Sequence, residues 1–177
     1  MKQKLIFTAA VTGWALALTI HLLTFAGIAV NAGYYGFLFV GIFPLWYYAI
    51  LKVRDNRNLD RYDEYSFWQR LNPILYFKRL FRNAPTWFRI VAVTCFYGAV
   101  ISGWISQSHK HGDPGIQNGQ YVLLYQGHLM KIITETEYNY AKIIDVRMWT
   151  GVIIGFYAFA SAMVYPPIQS DLAKSNS

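Results

Sequence analysis

Four long apolar runs alternate with polar stretches along the chain: Leu5–Val30, Tyr34–Val53, Ile90–Ser106 and Met148–Tyr165. A helix needs about 20 predominantly apolar residues to cross a bilayer. Each run approaches or exceeds that length, which predicts spans at about 5–30, 34–53, 88–106 and 148–165. The expected fold is an all-α membrane protein, a four-helix transmembrane bundle forming one domain over residues 1–177. A connector (54–87) and a cap (107–147) separate the later spans. The short break Asn31-Ala32-Gly33 predicts an antiparallel hairpin of the first two helices.

Small residues recur within these runs at helical spacing. Ala9, Gly13, Ala17 and His21 share one face of the first span. In the third span Cys95, Ala99 and Gly103 share a face, and so do Gly98, Ser102 and Ser106. The fourth carries Gly151-x-x-x-Gly155 and Ala158-x-x-x-Ala162. Such stripes let helix backbones approach closely, so Gly98, Ala99, Ser102, Gly103, Gly151 and Gly155 are expected contact residues, for the bundle and for a partner. His21 is the one ionisable side chain besides Cys95 deep in a span. It is a functional candidate by placement, weighed against a neutral His bonded to a neighbouring hydroxyl. The second span is rich in aromatics, with Pro44 as an expected kink.

The connector opens with a polar, mixed-charge stretch, Arg54–Arg70. Asn72-Pro73 then starts a short helix, ILYFKRLFR. Lys78, Arg79 and Arg82 would meet anionic headgroups while Ile74, Phe77, Leu80 and Phe81 enter the lipid. Docking of a cytoplasmic partner is the alternative use. Thr86 is the expected cap of span three, and Arg89 snorkels to the interface. In the cap, Tyr121–Tyr125 and Leu129–Ile133 flank Gln126-Gly127-His128, which predicts a β-hairpin. Thr134-x-x-Glu137 reads as a capping box, starting a helix that runs through Arg147 into span four. Tyr121, Tyr125, His128, Glu135, Glu137 and Tyr138 make the expected recognition surface of this cap.

Composition agrees with the pattern. Only 14% of residues are charged and 55% are hydrophobic, against about 25% charged in soluble domains. The net charge of +7 invites a nucleic-acid reading, but its distribution removes it. Twelve of the 16 Lys and Arg lie at the two ends or in the connector, and the other four are Lys110, Lys131, Lys142 and Arg147. That asymmetry puts both termini and the connector in the cytoplasm of a bacterial-type inner membrane. The first apolar run, 26 residues with Trp14 and His21 inside it, exceeds the roughly 7–15 residues of a signal-peptide core. It reads as an uncleaved helix.

Catalytic chemistry is sparse. His109, His111, Asp113 and His128 are metal-ligand candidates by residue type, set against a solvated Gly/Pro loop. Glu135, Glu137 and Asp145 suit the start of a helix. No nucleophile elbow, zinc-protease motif or phosphate loop occurs. A thiol–disulfide relay needs paired cysteines and the chain has one; a haem held between spans needs paired histidines and His21 stands alone. The expectation is a non-catalytic membrane protein without a cofactor. Its partners are the bilayer and another membrane protein or toxin, with homo-oligomers left open. An immunity-type or inhibitory role against a membrane-targeting toxin leads. An accessory or assembly subunit is the alternative, and a metal or haem protein using His21 or the outer histidines stands third.

Overall fold

The computed structural model describes residues 2–59, 80–108 and 112–166, with side chains at 2–52, 80–105 and 112–166. Among them are four helices and a small sheet. The helices are α1 (Lys2–Phe25), α2 (Ala32–Leu59), α3 (Thr86–Ser108) and α4 (Glu135–Met163); strands β1 (Asp113–Gln117), β2 (Gln120–Tyr125) and β3 (His128–Ile132) lie between α3 and α4. All four helices are long and apolar enough to cross a membrane.

The first helix ends five residues before its apolar run does. Gly27 adopts a left-handed φ of 77°, its N–H donates to Thr24 O (3.2 Å), and the Ile28 N–H donates to Leu23 O (3.1 Å). This paired 5→2 and 6→1 pattern closes a helix C-terminus and favours glycine. Hydrophobicity through Val30 therefore overstated the span, and the reversal begins at Ala26 rather than at Asn31. Asn31 instead caps α2, accepting from the Gly33 N–H at 2.9 Å. The second helix runs through Pro44 and on to Leu59, past the expected end at Val53. Lys52–Leu59 contains neither Gly nor Pro, so nothing local stops it.

The bundle is organised around α4. Fifty-six per cent of its most apolar window is buried, against 17% for each of the others. The chain ends set directions. At one end Gln3 Nε2 donates to Tyr165 O at 3.0 Å, and at the other Arg147 bonds to Thr24, so α1 and α4 are antiparallel. Trp46 of α2 packs on Phe156 and Phe159 of α4, while Tyr35 near the start of α2 lines a cleft with Val146; α2 and α4 are parallel. Glycines set the separations. A Cβ on Gly155 would lie 2.8 Å from Ala99 Cβ, and one on Gly13 or Gly41 would strike Tyr157. Tyr157 is thus wedged between α1 and α2, its hydroxyl donating to Leu38 O at 2.9 Å.

Two local expectations change near α3. Leu80 and Phe81 are buried in protein rather than lipid, Phe81 meeting Phe159 edge-on at 4.8 Å. An aromatic ring with a protein cavity available packs there, because dispersion contacts are denser than in lipid tails. Lys78 and Arg79 lie outside the described residues. Thr86 is the first helical residue rather than a cap, since Pro85 O already accepts from the Arg89 N–H at 3.1 Å. The Arg89 side chain turns back to Ala84 O (2.6 Å) and Arg82 O (3.2 Å), satisfying turn carbonyls.

The sheet has order β1-β2-β3, antiparallel throughout. The hairpin expected at Tyr121–Ile133 is present, but its turn has two residues, Gln126 and Gly127, both with positive φ. The first strand was not expected. It enters through Asn118-Gly119, whose φ values of 51° and 77° match the two-residue turn that follows the right-handed strand twist.

Candidate functional site

The end of the fold that carries the sheet also carries most of its buried polar chemistry. At the α1–α4 junction His21 Nδ1 lies 2.9 Å from Thr150 Oγ1. The single Thr150 hydroxyl proton goes to Val146 O at 2.7 Å. With the hydroxyl proton placed there, the His21 tautomer carrying Nδ1–H donates to Thr150 Oγ1. Gly151 lies beside the ring, where a Cβ would make only ordinary contact, 3.7 Å from His21 Cε1 and 3.9 Å from Ser102 Oγ. One turn along, Arg147 Nε donates to Thr24 Oγ1 and its Nη2 to Thr24 O, both at 3.1 Å. Thr24 passes its own proton to His21 O (2.6 Å). The guanidinium also lies over the Phe25 ring, 4.3 Å from its centroid. A cation at a helix C-terminus meets carbonyls that have no intrahelical donor. The arrangement fastens α1 to α4 and offers no acid–base pair.

The small residues divide by use. Gly13, Ala17, Ala99, Gly151 and Gly155 are buried, and Gly103 faces Val152; they bring this chain's own helices together. Ala9 is exposed, and a Cβ on Gly98 would meet nothing within 4 Å. The first group is committed inside the fold, while these two face outward.

In the cap, Thr134 and Glu137 form the expected capping box: Thr134 N–H donates to Glu137 Oε2 (2.8 Å), and Glu137 N–H to Thr134 Oγ1 (3.2 Å). The Thr134 backbone bond is the main reason that the exposed Glu137 carboxyl sits below the usual carboxylate range, helped by the Thr134 hydroxyl and Lys131. Lys131 Nζ reaches Glu137 at 3.4 Å. Tyr121 packs against Tyr138 with centroids 4.8 Å apart and the rings tilted by 34°, and Lys142 lies over the Tyr138 ring at 5.1 Å. Tyr125, His128 and Glu135 are exposed. All five residues of β3 are exposed.

For metal binding, Asp113 is paired with Leu124 on one side of β2, and His128 with Tyr125 on the other. Their backbones are two strand spacings apart, roughly 10 Å. His109 and His111 lie outside the described residues, and among the described residues no three His, Cys, Asp or Glu gather as metal ligands.

The sequence reading weighed a neighbouring hydroxyl as the partner of His21, and Thr150 supplies one; it named neither Thr150 nor the Arg147–Thr24 pair beside it, and it missed Gly41 beneath Tyr157. Thr24 lies three residues beyond His21 and so shares its face, a signal available in the chain. Arg147, at the threshold of the last apolar run, is another. Nothing in the sequence points from Gly41 to Tyr157.

The fold defines a mostly helical protein with four helices long and apolar enough to cross a membrane and a small three-stranded sheet between the third and fourth. No protein-family model, curated protein or solved structure matches the chain.

Proposed function

We propose that this chain is a multi-pass inner-membrane protein that acts by contact rather than catalysis. Both termini and the basic connector face the cytoplasm, as the Lys/Arg asymmetry favours, and the sheet is the outward recognition surface. The observation that carries the reading is β3. It is an edge strand in which Leu129, Met130 and Ile132 are each more than half exposed, at 55%, 58% and 54%. Exposed apolar edges invite another chain and are ordinarily blunted by charge, proline or cover. The occupant is an extended segment of a protein partner added to β3 by backbone pairing. The specific role is that of an immunity-type or inhibitory protein that intercepts a membrane-targeting toxin.

The test is a photo-crosslinking residue at Met130, with Tyr140 on the exposed side of α4 as control. The expected result is one toxin-derived peptide joined at position 130 and not at 140. In parallel, Leu129→Lys with Ile132→Lys should abolish protection of cells against that toxin while leaving protein levels unchanged. Equal labelling from both positions, or full protection by the double variant, overturns the reading.

A second reading, an accessory subunit of a larger membrane assembly, draws on the open face of α3, where Gly98 is uncovered beside exposed Tyr97 and Trp104. It predicts constitutive stoichiometric association that Gly98→Leu disrupts.

A further inference from the structure

His21 reaches across α4 from the α1 side toward α3. Its Nδ1 is held 2.9 Å from Thr150 Oγ1, and Phe25 meets the ring edge-on at 5.5 Å. Cε1, which joins the two ring nitrogens, lies beside Gly151. The point that a Gly151 Cβ would occupy is 3.7 Å from His21 Cε1 and 3.9 Å from Ser102 Oγ of α3. With Nδ1–H donating to Thr150, Nε2 keeps a lone pair, set on the far side of Cε1 from Thr150. Among the described residues neither Nε2 nor the Ser102 hydroxyl has a hydrogen-bond partner, and both side chains are partly exposed. An unbonded acceptor and an unbonded hydroxyl thus flank one gap between α1 and α3. A single oxygen bonded to both at about 2.8 Å each bridges up to about 5.6 Å.

The level of the gap narrows what can enter it. His21 stands four residues inside the end of α1, about 6 Å along the axis, and Gly151 lies about 4.5 Å past Met148. In a bilayer this is just beneath the headgroups. One turn deeper on the same helix faces are Leu18, 41% exposed, and Gly98, where a Cβ would meet nothing within 4 Å; they leave room for an apolar tail. We infer that the gap binds the uncharged hydroxyl of a membrane-soluble amphiphile. The ligand O–H donates to His21 Nε2, and its oxygen accepts from the Ser102 hydroxyl. A charged head is disfavoured at this depth. A glycerolipid alcohol and a quinol share the required chemistry. The inference rests on the membrane reading above and concerns a surface separate from β3.

The experiment uses the full chain with isotope-labelled histidine rings, reconstituted in bicelles and followed by nitrogen NMR; His21 is assigned as the signal lost in His21→Gln. Dioctanoylglycerol and decylubiquinol are titrated in, each beside its methyl ether, which keeps the tail and loses the donor. The protein alone should show Nε2 as an unprotonated nitrogen. The expected result is a saturable shift of Nε2 to lower frequency with a hydroxyl probe and none with its ether. Ser102→Ala, which adds no bulk, should weaken the apparent affinity about fivefold, the worth of one hydrogen bond. Saturation by dioctanoylglycerol alone assigns the site to a lipid alcohol, by decylubiquinol alone to a quinol, and by both to their shared hydroxyl. An Nε2 already protonated before the probe is added, equal shifts with the ethers, no saturable shift with either hydroxyl probe, or unchanged affinity in Ser102→Ala overturns the proposal. Any of these in a chain that resists carbonate extraction leaves the membrane reading standing, whereas a chain released by carbonate overturns both.

Discussion

Replacing Gly41 with Ala would place a methyl carbon 2.5 Å from the Tyr157 hydroxyl oxygen but 3.8 Å from Cζ. The clash is with one oxygen atom, and behind it the spacing is ordinary contact. Replacing Gly13 strikes the other side of the same ring, at Cε1, Cζ and Cδ1, where no atom can be spared. Two opposite couplings follow. Gly41→Ala alone should cost about 1–3 kcal/mol by overpacking. Tyr157→Phe alone should cost about 0.5–1.5 kcal/mol for the lost bond to Leu38 O. The pair together should cost little more than Tyr157→Phe, because removing the oxygen vacates the space that the new methyl needs. Gly13→Ala should cost more than Gly41→Ala, because the body of the ring stands in the way, and should gain no relief from Tyr157→Phe. Steric trapping in bicelles, with α1 and α4 tagged, measures each unfolding free energy and completes both double-mutant cycles. Additive costs for Gly41→Ala with Tyr157→Phe, or equal relief in the Gly13 cycle, would refute Tyr157 as the wedge between α1 and α2.

Three other perturbations test separate parts of the fold. Thr150→Val removes the acceptor for His21 Nδ1 and should destabilise the α1–α4 contact by about 0.6–1.7 kcal/mol, read in the same assay; no change would mean that His21 finds another acceptor. Gly27→Ala places a Cβ on a residue at φ 77° and should cost about 1 kcal/mol, with unaltered stability counting against the α1 termination described above. The capping box predicts a pH response. Glu137 has its carboxyl lowered on folding, so its contribution is complete above the ordinary glutamate value of about 4.3 and is lost as pH falls through the lowered folded value. Carboxyl carbon NMR should find the Glu137 midpoint below that of a free glutamate and moving part of the way up in Thr134→Ala, which keeps the backbone N–H but loses the hydroxyl; identical midpoints in the two proteins would remove the Thr134 hydroxyl as a contributor.

The local rules were legible where a short stretch contains its own physics. Four helices follow from four apolar runs, because burying a backbone away from water requires internal hydrogen bonds. The capping box at Thr134 and the hairpin around Gly127 follow from side chains and turns that act within a few residues. Asn118-Gly119 was equally readable as a turn, and overlooking it hid β1. Gly27 shows the limit of hydropathy: apolar residues continue to Val30, yet a single left-handed glycine ends the helix earlier.

Which helix is central was not legible. The runs that became α1 and α3 carry small-residue stripes like that of α4, and nothing local ranks them. Only packing decides that α4 is enclosed, that Gly13 and Gly41 face the same tyrosine, and that Gly98 faces outward while Ala99 meets Gly155. The same holds for Arg147 and Thr24, 123 residues apart and bonded at 3.1 Å. The sequence by itself determined the number of apolar helices, the basic asymmetry and the capped start of α4, since these depend on solvent preference and neighbouring backbone groups. The tertiary structure alone decided the helix partners, the burial of Leu80 and Phe81 and the gap between His21 and Ser102, because distant elements must close on one another before any of these contacts exists.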